Sequence, residues 1–426
     1  GHASPADRYD GDNLPRCRYV GQPIAAVAAE SQQIANEAAR LIDVRYKELP
    51  FVIDLDEARQ EGAPLVFEEK VEQELSGGDV GDSVGGRQQG NLRGPTTGSF
   101  YGGPRGDVEK GFAEADLIVE GEYRTQVQTH CALETHGVVA DWKPDMLTVY
   151  ASTQSTKSVR NDLAELFDLP KTKVRVLTEY MGAGFGAKFG AGNYGVTACW
   201  LSKKAGRPVK LMLDREEEHT MTGNRPNSYQ KLRIGAKQDG TLTAIDQLSY
   251  GTAGVGLGAG VGRIAQDMYD CPNFRTEQYD VFTHAGPGAA FRAPGNVQGA
   301  FALEQAIDEL AEKLDLDPLE LRDRIDPSVI RRLERRQGAA KFGWQRRKPG
   351  ADAGPVKRGI GIAQGHWPRI VELDSSATVR IQRGGAVEVL SGVQDIGTGT
   401  KTIIAQVAAE ELGLPAEAIT VKIGDT

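Results

Sequence analysis

The sequence predicts an α+β protein with more than one hydrophobic core, in which strand–helix–strand units recur. Its 426 residues are two to three times the roughly 150 residues of a typical domain. Hydrophobic residues make up 39% of the chain and charged residues 26%, as in globular proteins, which excludes a disordered or fibrous chain. Strand and helix patterns alternate along most of its length.

The charge balance and the cysteines exclude several classes of protein. There are 50 Lys and Arg residues against 59 Asp and Glu, so the net charge is −9. An acidic chain with only short Lys/Arg runs is not typical of a nucleic-acid-binding protein. No apolar run reaches the roughly 18 residues that a membrane-spanning segment needs. The wide spacing of the cysteines argues against a zinc ribbon, an iron–sulfur site or a disulfide framework.

The first 60 residues predict a compact strand–helix–strand unit. Residues 19–29 are largely apolar and predict a buried strand, Ser31 suits the N-cap of a helix, and Val44 opens a second short strand. Residues 61–114 contain three Gly-Gly pairs and little periodicity. This segment predicts a linker or wrapping loop.

Two larger units follow. Strand patterns at 117–123, 138–140 and 147–150 precede a helix over 297–314, whose apolar residues recur at helical spacing. A second helix begins at Pro318. Strands return at 378–381 and 387–390, and they predict a further domain.

Two segments repeat one pattern. Strand 147–151 leads to a helix that ends near Pro170, and strand 387–390 leads to a helix that ends near Pro415. Each copy has a glutamine where the strand gives way to the helix, and each resumes a strand four residues after the proline. Such an echo indicates related units. Since the second copy stops where a glycine loop follows the first, we expect a truncated chain or one subunit of a split enzyme.

Much of the glycine lies in loops. Of the 52 glycines, six fall within 182–195, where bare backbone lets consecutive N–H groups converge on an anion or an oxo group. The string 190–195 matches the nicotinamide-binding Gly-x-Gly-x-x-Gly pattern, but no strand directly precedes it, so a turn is favoured. The glycine series 251–262 fits either a lid or an irregular loop.

The two glutamines at the strand–helix junctions are Gln154 and Gln394. An isolated glutamine at a helix start is usually a surface residue, but its recurrence indicates a function. An uncharged amide can donate to an oxo ligand and accept from a hydroxyl group. Around Gln394, the glycines and hydroxyls of 392–400 form a suitable pyrophosphate cradle at a helix N-terminus.

Two other motifs each have two interpretations. Arg292 is either a surface arginine on a Pro/Gly turn or a rigidly held guanidinium that orients a carbonyl or carboxylate substrate. His130, Glu134 and His136 lie close together, but their spacing is neither HExxH nor HxxEH. A hydrogen-bonded buried glutamate is therefore favoured over a zinc site.

Five motifs, in order, are Gln-Thr-His-Cys-Ala-Leu-Glu-Thr-His (128–136), Ala-Ser-Thr-Gln (151–154), Gly-Ala-Gly-Phe-Gly-Ala-Lys (182–188), Ala-Phe-Arg-Ala-Pro-Gly (290–295) and Asp-Ile-Gly-Thr-Gly-Thr (395–400). Together they resemble the molybdopterin-binding large subunit of the xanthine dehydrogenase/aldehyde oxidase family of molybdenum hydroxylases. The bacterial, separately encoded subunits are the nearest in character.

The resemblance implies an α+β fold with a small a/b hammerhead domain followed by repeated strand–helix–strand molybdopterin-binding domains. The expected boundaries are 1–60 for the hammerhead domain, incomplete at its N-terminus, 61–114 for the linker, 115–345 for the first molybdopterin-binding domain and 346–426 for the incomplete start of the second.

The resemblance also implies a molybdenum ion held by the dithiolene of a pterin, in its cytosine dinucleotide form, with no protein ligand to the metal. Gln154 would hydrogen-bond the ligand shell of the metal, Phe185 would lie against it, and Arg292 would face the substrate. The expected cofactor-binding residues are Gln154, Gly184, Phe185, Gly186, Arg292, Gln394, Ile396, Gly397, Thr398, Gly399 and Thr400.

The implied activity is hydroxylation of an aldehyde or N-heteroaromatic carbon with water-derived oxygen. Electrons would leave through iron–sulfur and FAD partner subunits. Phe189 stands where purine-oxidising relatives carry a glutamate, so we expect a substrate other than a purine. The general-base glutamate of the family lies in a Gly-Val-Gly-Glu segment that has no match here. A second molybdopterin-binding chain, or more of the same polypeptide, would supply it.

Two alternatives stay open. One is a carbon monoxide dehydrogenase-like subunit, although Cys271 is too far from Arg292 to be the reactive cysteine of that group. The other is a non-catalytic fragment that only binds the cofactor. We expect a cytoplasmic protein, or a periplasmic one if it is exported with a partner subunit, with no nucleic-acid partner and no transmembrane segment.

Overall fold

The computed structural model describes residues 15–68, 87–97, 103–256, 258, 260–348, 350, 354–367, 371, 373 and 375–426. In chain order the elements are α1 (Gln32–Arg40), α2 (Leu55–Ala58), β1 (Gln88–Gln89), β2 (Leu92–Thr96), α3 (Val108–Ala113), β3 (Leu117–Thr125), β4 (Gly137–Trp142), β5 (Leu147–Ala151), α4 (Thr156–Leu166), β6 (Val174–Leu177), α5 (Gly192–Ala205), β7 (Val209–Met212), α6 (Arg215–Met221), β8 (Ser228–Ala236), β9 (Leu242–Gly254), α7 (Arg263–Asp267), β10 (Phe274–Phe282), α8 (Asn296–Lys313), α9 (Pro318–Ile325), α10 (Val329–Phe342), β11 (Thr378–Ile381), β12 (Val387–Ser391), α11 (Thr400–Leu412) and β13 (Ile419–Ile423). None of the helices in these ranges is long and apolar enough to cross a bilayer.

These strands form three sheets. The six-stranded sheet has the order β1-β2-β10-β9-β8-β3, the four-stranded sheet β6-β5-β4-β7 and the three-stranded sheet β11-β12-β13. Helix α8 packs on the six-stranded sheet through Leu303, Ile307 and Leu310, all fully buried. These residues lie on the apolar stripe that the sequence predicts for 297–314, because positions three and four apart share one helix face.

The predicted repeat is present in the structure. Strands β5 and β6 are parallel neighbours joined through α4, and β12 and β13 are parallel neighbours joined through α11. Gln154 and Gln394 are each the third residue after their strand. A parallel pair needs a crossover connection, and the glutamine in each copy lies in the stretch between the strand and the crossover helix, two residues before α4 for Gln154 and six before α11 for Gln394.

The two copies are in contact. The backbone N–H of Thr178 donates to the carbonyl of Gly424 over 2.7 Å, and Gln394 Nε2 donates to Thr156 Oγ1 over 3.0 Å. Gly424 has φ 74°, and a Cβ at this position would collide with the carbonyl of Thr178. A glycine is therefore required where the backbones of the two copies meet.

The N-terminal strand–helix–strand unit is only partly formed. Helix α1 begins directly after Ser31, whose side chain accepts the N–H of Ile34, so the predicted cap is confirmed. The predicted strands at 19–29 and Val44 are wrong, because these described residues form no strand and most are exposed. A strand is stabilised by a hydrogen-bonded neighbour, and none pairs with 19–29 in the described part of the chain.

Three elements that the sequence pattern did not indicate, β1, β2 and α3, lie within the segment 61–114. Strand β2 pairs with β10, where Arg93 and Asp280 form a buried ion pair of 2.5 Å. Helix α3 buries Phe112 next to Ala244 of β9. Other parts of the segment, 69–86 and 98–102, lie outside the described residues.

Asp317→Ala should lower the free energy of unfolding by about 1–2 kcal/mol, because Asp317 caps α9 and also accepts from an indole. Its carboxylate accepts the backbone N–H of Leu319 and Trp344 Nε1 at 2.8 and 3.0 Å. Asp107→Ala is the matched control, since Asp107 caps α3 through backbone N–H groups alone. Chemical denaturation measures both variants, and an equal loss in the two would show that the indole contact contributes nothing.

Candidate functional site

Four segments meet beside the end of β5. The backbone N–H of Gly186 donates to Gln154 Oε1 over 2.8 Å, and the N–H of Arg292 donates to the carbonyl of Phe185 over 2.6 Å. The N–H of Glu134 donates to the carbonyl of Gly182 over 3.1 Å. The structure therefore brings together the predicted residues of the first repeat, the glycine loop and the Arg292 motif.

The glycine loop has a backbone that most side chains would block. A Cβ at Gly184 would lie 2.5 Å from Gln154 Oε1, and one at Gly186, where φ is 112°, would lie 2.7 Å from the carbonyl oxygen of Ala290. Phe185 between them has φ 54°, a left-handed conformation that is costly for a residue with a Cβ. Such strain persists where the surrounding contacts hold it. Although its backbone is held in this way, Phe185 is 39% exposed.

Gln154 is held with a defined amide orientation. Its N–H donates to the carbonyl of Lys188 over 2.7 Å, while its Oε1 accepts from the N–H of Gly186 and, at 3.4 Å, of Lys188. Because Oε1 is used as an acceptor, the amide directs its Nε2 donors away from the loop. Among the described residues, no hydrogen bond of Nε2 is found, so this donor is free for a ligand.

Lys188 connects the glycine loop by hydrogen bonds to the two neighbouring segments that contain Glu134 and Ser152. The side chain is fully buried, and Nζ donates to the carbonyl of Glu134 over 2.6 Å and to Ser152 Oγ over 2.8 Å. Its own carbonyl accepts from Gln154 N and, over 2.9 Å, from Thr153 Oγ1. Burial lowers the pKa of Lys188. Because the side chain and the carbonyl of Lys188 bind both neighbouring segments, this lysine sets the distance between Gln154 and the loop.

The two histidines of 128–136 have protein partners. His130 Nε2 lies 2.7 Å from the carbonyl oxygen of Ala290, and His136 Nδ1 lies 2.8 Å from Glu218 Oε2. Burial lowers the pKa of His130, so its neutral imidazole donates through Nε2. In the part of the chain that the structure describes, no group of three or more His, Cys, Asp or Glu is placed to hold a metal ion.

The Arg292 motif is held through its backbone. Arg225, which the sequence analysis missed, is buried and donates through Nη2 to the carbonyl of Arg292 over 2.8 Å. Its guanidinium lies over the ring of Phe291, 4.4 Å from the centroid. The Arg292 side chain is exposed. A buried arginine that binds carbonyl groups leaves no spacing pattern that could have revealed it.

The second predicted site begins at Gln394. Its Nε2 donates to Thr156 Oγ1 and to the carbonyl of Gly392, so the donor is used within the protein, in contrast to Gln154. Residues Tyr180 and Asp395 form a parallel backbone bridge. This bridge brings the segment 394–400 next to the start of the glycine loop.

The backbone donors of this segment bind an internal carboxylate. Asp395 Oδ1 accepts from the N–H of Gly397 at 3.0 Å and of Gly399 at 3.3 Å, and Oδ2 accepts from Lys401 N at 3.4 Å. Burial acts to raise the pKa of Asp395, but these N–H groups outweigh it and hold the pKa below its ordinary value. The pattern that suggested a pyrophosphate cradle thus describes, in part, a site filled by Asp395.

The remaining predicted residues of the segment face solvent. Ile396 and Thr398 are exposed, and Thr400 is half-buried at the start of α11. The hydroxyls of Thr398 and Thr400 lie 3.3 Å apart. One of these hydroxyls donates to the other, so the pair keeps one free hydroxyl proton, whereas the N–H groups of Gly397 and Gly399 are used by Asp395.

Comparison with known proteins identifies the family. Residues 95–325 and 337–426 each match the family model of the molybdopterin cofactor-binding domain, and the first match alone covers more than half of the chain. Residues 14–50 match the a/b hammerhead domain of aldehyde oxidase and xanthine dehydrogenase.

Individual proteins agree with these matches. The aldehyde oxidoreductase molybdenum-binding subunit PaoC of Escherichia coli (strain K12) is 34% identical over 430 residues, which cover 97% of this chain and 54% of PaoC. Quinoline 2-oxidoreductase from Pseudomonas putida 86 superposes with a TM-score of 0.71 at 24% identity, over 93% of this chain and 53% of that one. CO dehydrogenase from Oligotropha carboxidovorans superposes with a TM-score of 0.74 at 23% identity, over 92% and 54%.

The chain spans about half the length of the curated relatives it matches. The solved structures show that it shares their fold. The predicted α+β fold with hammerhead and molybdopterin-binding domains is therefore confirmed, and the chain belongs to the molybdopterin-binding subunits of the xanthine dehydrogenase/aldehyde oxidase family.

Proposed function

We propose that this chain is the molybdenum-binding part of a hydroxylase that oxidises an aldehyde or N-heteroaromatic carbon with oxygen from water. The observation that carries the proposal is Gln154. Its acceptor is bound by Gly186, its donor is free among the described residues, and the exposed Phe185 and Arg292 lie beside it.

The residues present fit a molybdopterin cofactor. The absent Cβ atoms at Gly184 and Gly186 let the loop pack directly against Gln154 and Ala290, and the free amide donor of Gln154 beside this loop suits an oxo ligand. For the distal part of the cofactor, the chain offers the hydroxyls of Thr398 and Thr400. We propose the cytosine dinucleotide form, whose additional phosphate these hydroxyls would bind.

Each side chain then has a definite task. Bound molybdopterin would supply the redox chemistry that adds the oxygen and accepts two electrons. Gln154 would donate from Nε2 and hold the ligand shell in place, Phe185 would exclude water from one face, and Arg292 would orient a carbonyl or carboxylate group of the substrate. The proton acceptor is proposed to come from a second chain or from more of the same polypeptide, since no Gly-Val-Gly-Glu segment occurs here.

The partner subunits and the compartment follow from the same proposal. Two electrons must leave after each turnover, and the relatives include molybdenum-binding subunits. We propose iron–sulfur and FAD subunits as partners, and the cytoplasm as the compartment, with the periplasm as the alternative for a complex exported through a partner.

A carbon monoxide dehydrogenase-like function has less support from the site. Cys271 is buried and its thiol binds the carbonyl of Asn273 over 3.2 Å. Burial raises the pKa of this thiol to about 11, so it is not a reactive thiolate at neutral pH. The second alternative, a non-catalytic fragment, predicts bound cofactor without turnover.

Elemental and pterin analysis of the purified protein tests the proposal. We expect about one molybdenum and one pterin per chain when maturation factors are present, and oxidation of members of an aldehyde and azaarene panel. Protein from cells grown on tungstate is the control, which should keep the pterin and lose the molybdenum and the activity. Absence of both pterin and molybdenum, or tight nicotinamide binding instead, would contradict the proposal.

Full molybdenum loading without turnover would favour the non-catalytic alternative. The protein must then be assayed with its partner subunits and with any chain that carries the general base. If that complete complex oxidises no member of the panel, the proposed hydroxylase function is wrong.

A further inference from the structure

Arg225 is a buried cation with an unusual set of partners. Only 5% of the residue is exposed, and its guanidinium binds the carbonyl of Arg292 at 2.8 Å, Gln298 Oε1 at 3.1 Å and the carbonyl of Ala293 at 3.5 Å. The face of the Phe291 ring lies 4.4 Å away. All of these partners are neutral.

Within the described ranges, no carboxylate forms an ion pair with Arg225, and its Nε is buried without a hydrogen bond. Burying a charge without a counter-ion is costly. The buried arginines elsewhere are different, since Arg322 binds Glu304 and Arg335 binds Asp326. An arginine whose main partners are the carbonyls of one turn is placed to hold that turn.

The turn that Arg225 binds has a strained backbone, which needs contacts to keep its conformation. Ala293 has φ 58°, in the left-handed region that is unfavourable for residues with a Cβ. Gly295 has φ 72°, and a Cβ there would collide with the carbonyl of Gly260. Arg292, between the Phe291 ring and this strained stretch, donates its N–H to Phe185.

Arg225 is itself fixed by its backbone. Its N–H donates to the carbonyl of Gln128 over 2.8 Å, and its carbonyl accepts the N–H of Gln128 over 3.1 Å. The imidazole of His130 also lies near the Phe291 ring, with 4.5 Å between the two ring centroids. The guanidinium therefore links the segment that begins at Gln128 to the turn that carries Arg292.

We propose that Arg225 is a positioning residue that fixes the turn from which the Arg292 side chain projects, and that this placement of Arg292 selects substrates with a carboxylate beyond the reacting carbonyl group. The second half of this inference rests on the proposed function. The planar guanidinium of Arg225 reaches two carbonyls and one amide at once, which the single ammonium of a lysine cannot do in the same geometry.

The first experiment measures the turn itself. Amide deuterium exchange of a peptide that contains residues 290–296 is compared between wild-type protein and Arg225→Lys, in the complex as it is isolated. We expect about tenfold faster exchange in the variant, because the hydrogen bonds from residue 225 to the carbonyls of the turn are weakened. Arg335→Lys is the matched control, a buried arginine elsewhere, and it should leave this peptide at the wild-type rate. Equal rates in wild type and Arg225→Lys overturn the inference.

The second experiment measures substrate selection with benzaldehyde and 4-formylbenzoate as probes. Arg225→Lys should raise KM for 4-formylbenzoate about tenfold and change KM for benzaldehyde much less, because only the first probe carries a carboxylate for Arg292. In an Arg292→Ala background, Arg225→Lys should add no further change. Equal effects on the two probes, or additive effects in the double variant, overturn the inference.

The exchange experiment tests whether Arg225 fixes the turn, and the kinetic experiment tests whether the site selects a carboxylate. If fully molybdenum-loaded wild-type protein oxidises neither probe nor any other panel member, the proposed function fails and with it the selection of a carboxylate. The exchange experiment then still decides whether Arg225 fixes the turn, since it requires no turnover.

Discussion

Lys188→Met should lower the free energy of unfolding by about 2–4 kcal/mol, since methionine fills the same volume but leaves the buried acceptors of the ammonium without a partner. The carbonyl of Glu134 and the hydroxyl of Ser152 lose the donor that lies 2.6 and 2.8 Å away. Relief of the desolvation cost of the charge offsets part of this loss. Chemical denaturation at neutral pH measures the difference.

Lys204→Met is the matched control, because Lys204 is exposed at the end of α5. A surface change of this kind should stay within about 0.5 kcal/mol. If Lys188→Met behaved like the control, the ammonium would contribute nothing to the joint between the glycine loop and β5.

The pH dependence of stability provides a second check on Lys188. Burial lowers its pKa below the ordinary 10.5, although Glu134 and Glu218 act to raise it. Between the lowered pKa and 10.5, the unfolded chain binds a proton that the folded chain does not, so the free energy of unfolding rises with pH. Lys188→Met should lack this rise, and an identical slope in the two proteins would show that Lys188 titrates normally.

Local patterns in the sequence predicted much of the fold. The apolar stripe of α8, the cap at Ser31 and the repeated strand–helix–strand unit each depend on neighbours within a few residues, and each is present. The strand predicted at 19–29 failed because strand formation depends on a partner that the local sequence does not specify.

Some residues of the candidate site could be predicted from the sequence and others could not. Gln154 and Arg292 could be found because they lie in motifs, and the structure brings their backbones to the same loop. Lys188 and Arg225 were not identified as functional, because a buried cation bound to carbonyl groups has no periodicity or charge pattern. Asp395 did leave a signal, since an aspartate just before glycines at a helix start commonly accepts their N–H groups.

Gln154→Ala should lower kcat per molybdenum by about 10²–10³-fold, the usual cost of losing one oriented donor at a reacting centre. The fold should be almost unaffected, because Gln154 is only half-buried and its backbone bond to Lys188 remains. Steady-state kinetics on protein of known molybdenum content measures the change.

Gln394→Ala is the matched control for this prediction, since it removes the equivalent glutamine from the second copy. Its Nε2 already donates to Thr156 and Gly392, so its loss should loosen the contact between the copies. We expect lower cofactor content with kcat per bound molybdenum within about twofold of wild type, as for a residue that does not touch the reacting atoms.

Gln154→Glu separates the two halves of the amide. A carboxylate can still accept the N–H of Gly186, which lies 2.8 Å from Oε1, so the glycine loop should keep its conformation. It cannot donate, however, and its negative charge would repel an oxo ligand. If the donor is what matters, Gln154→Glu should lose at least as much activity as Gln154→Ala while it unfolds at the wild-type denaturant concentration. Wild-type turnover in Gln154→Glu would mean that Gln154 acts only by holding the loop.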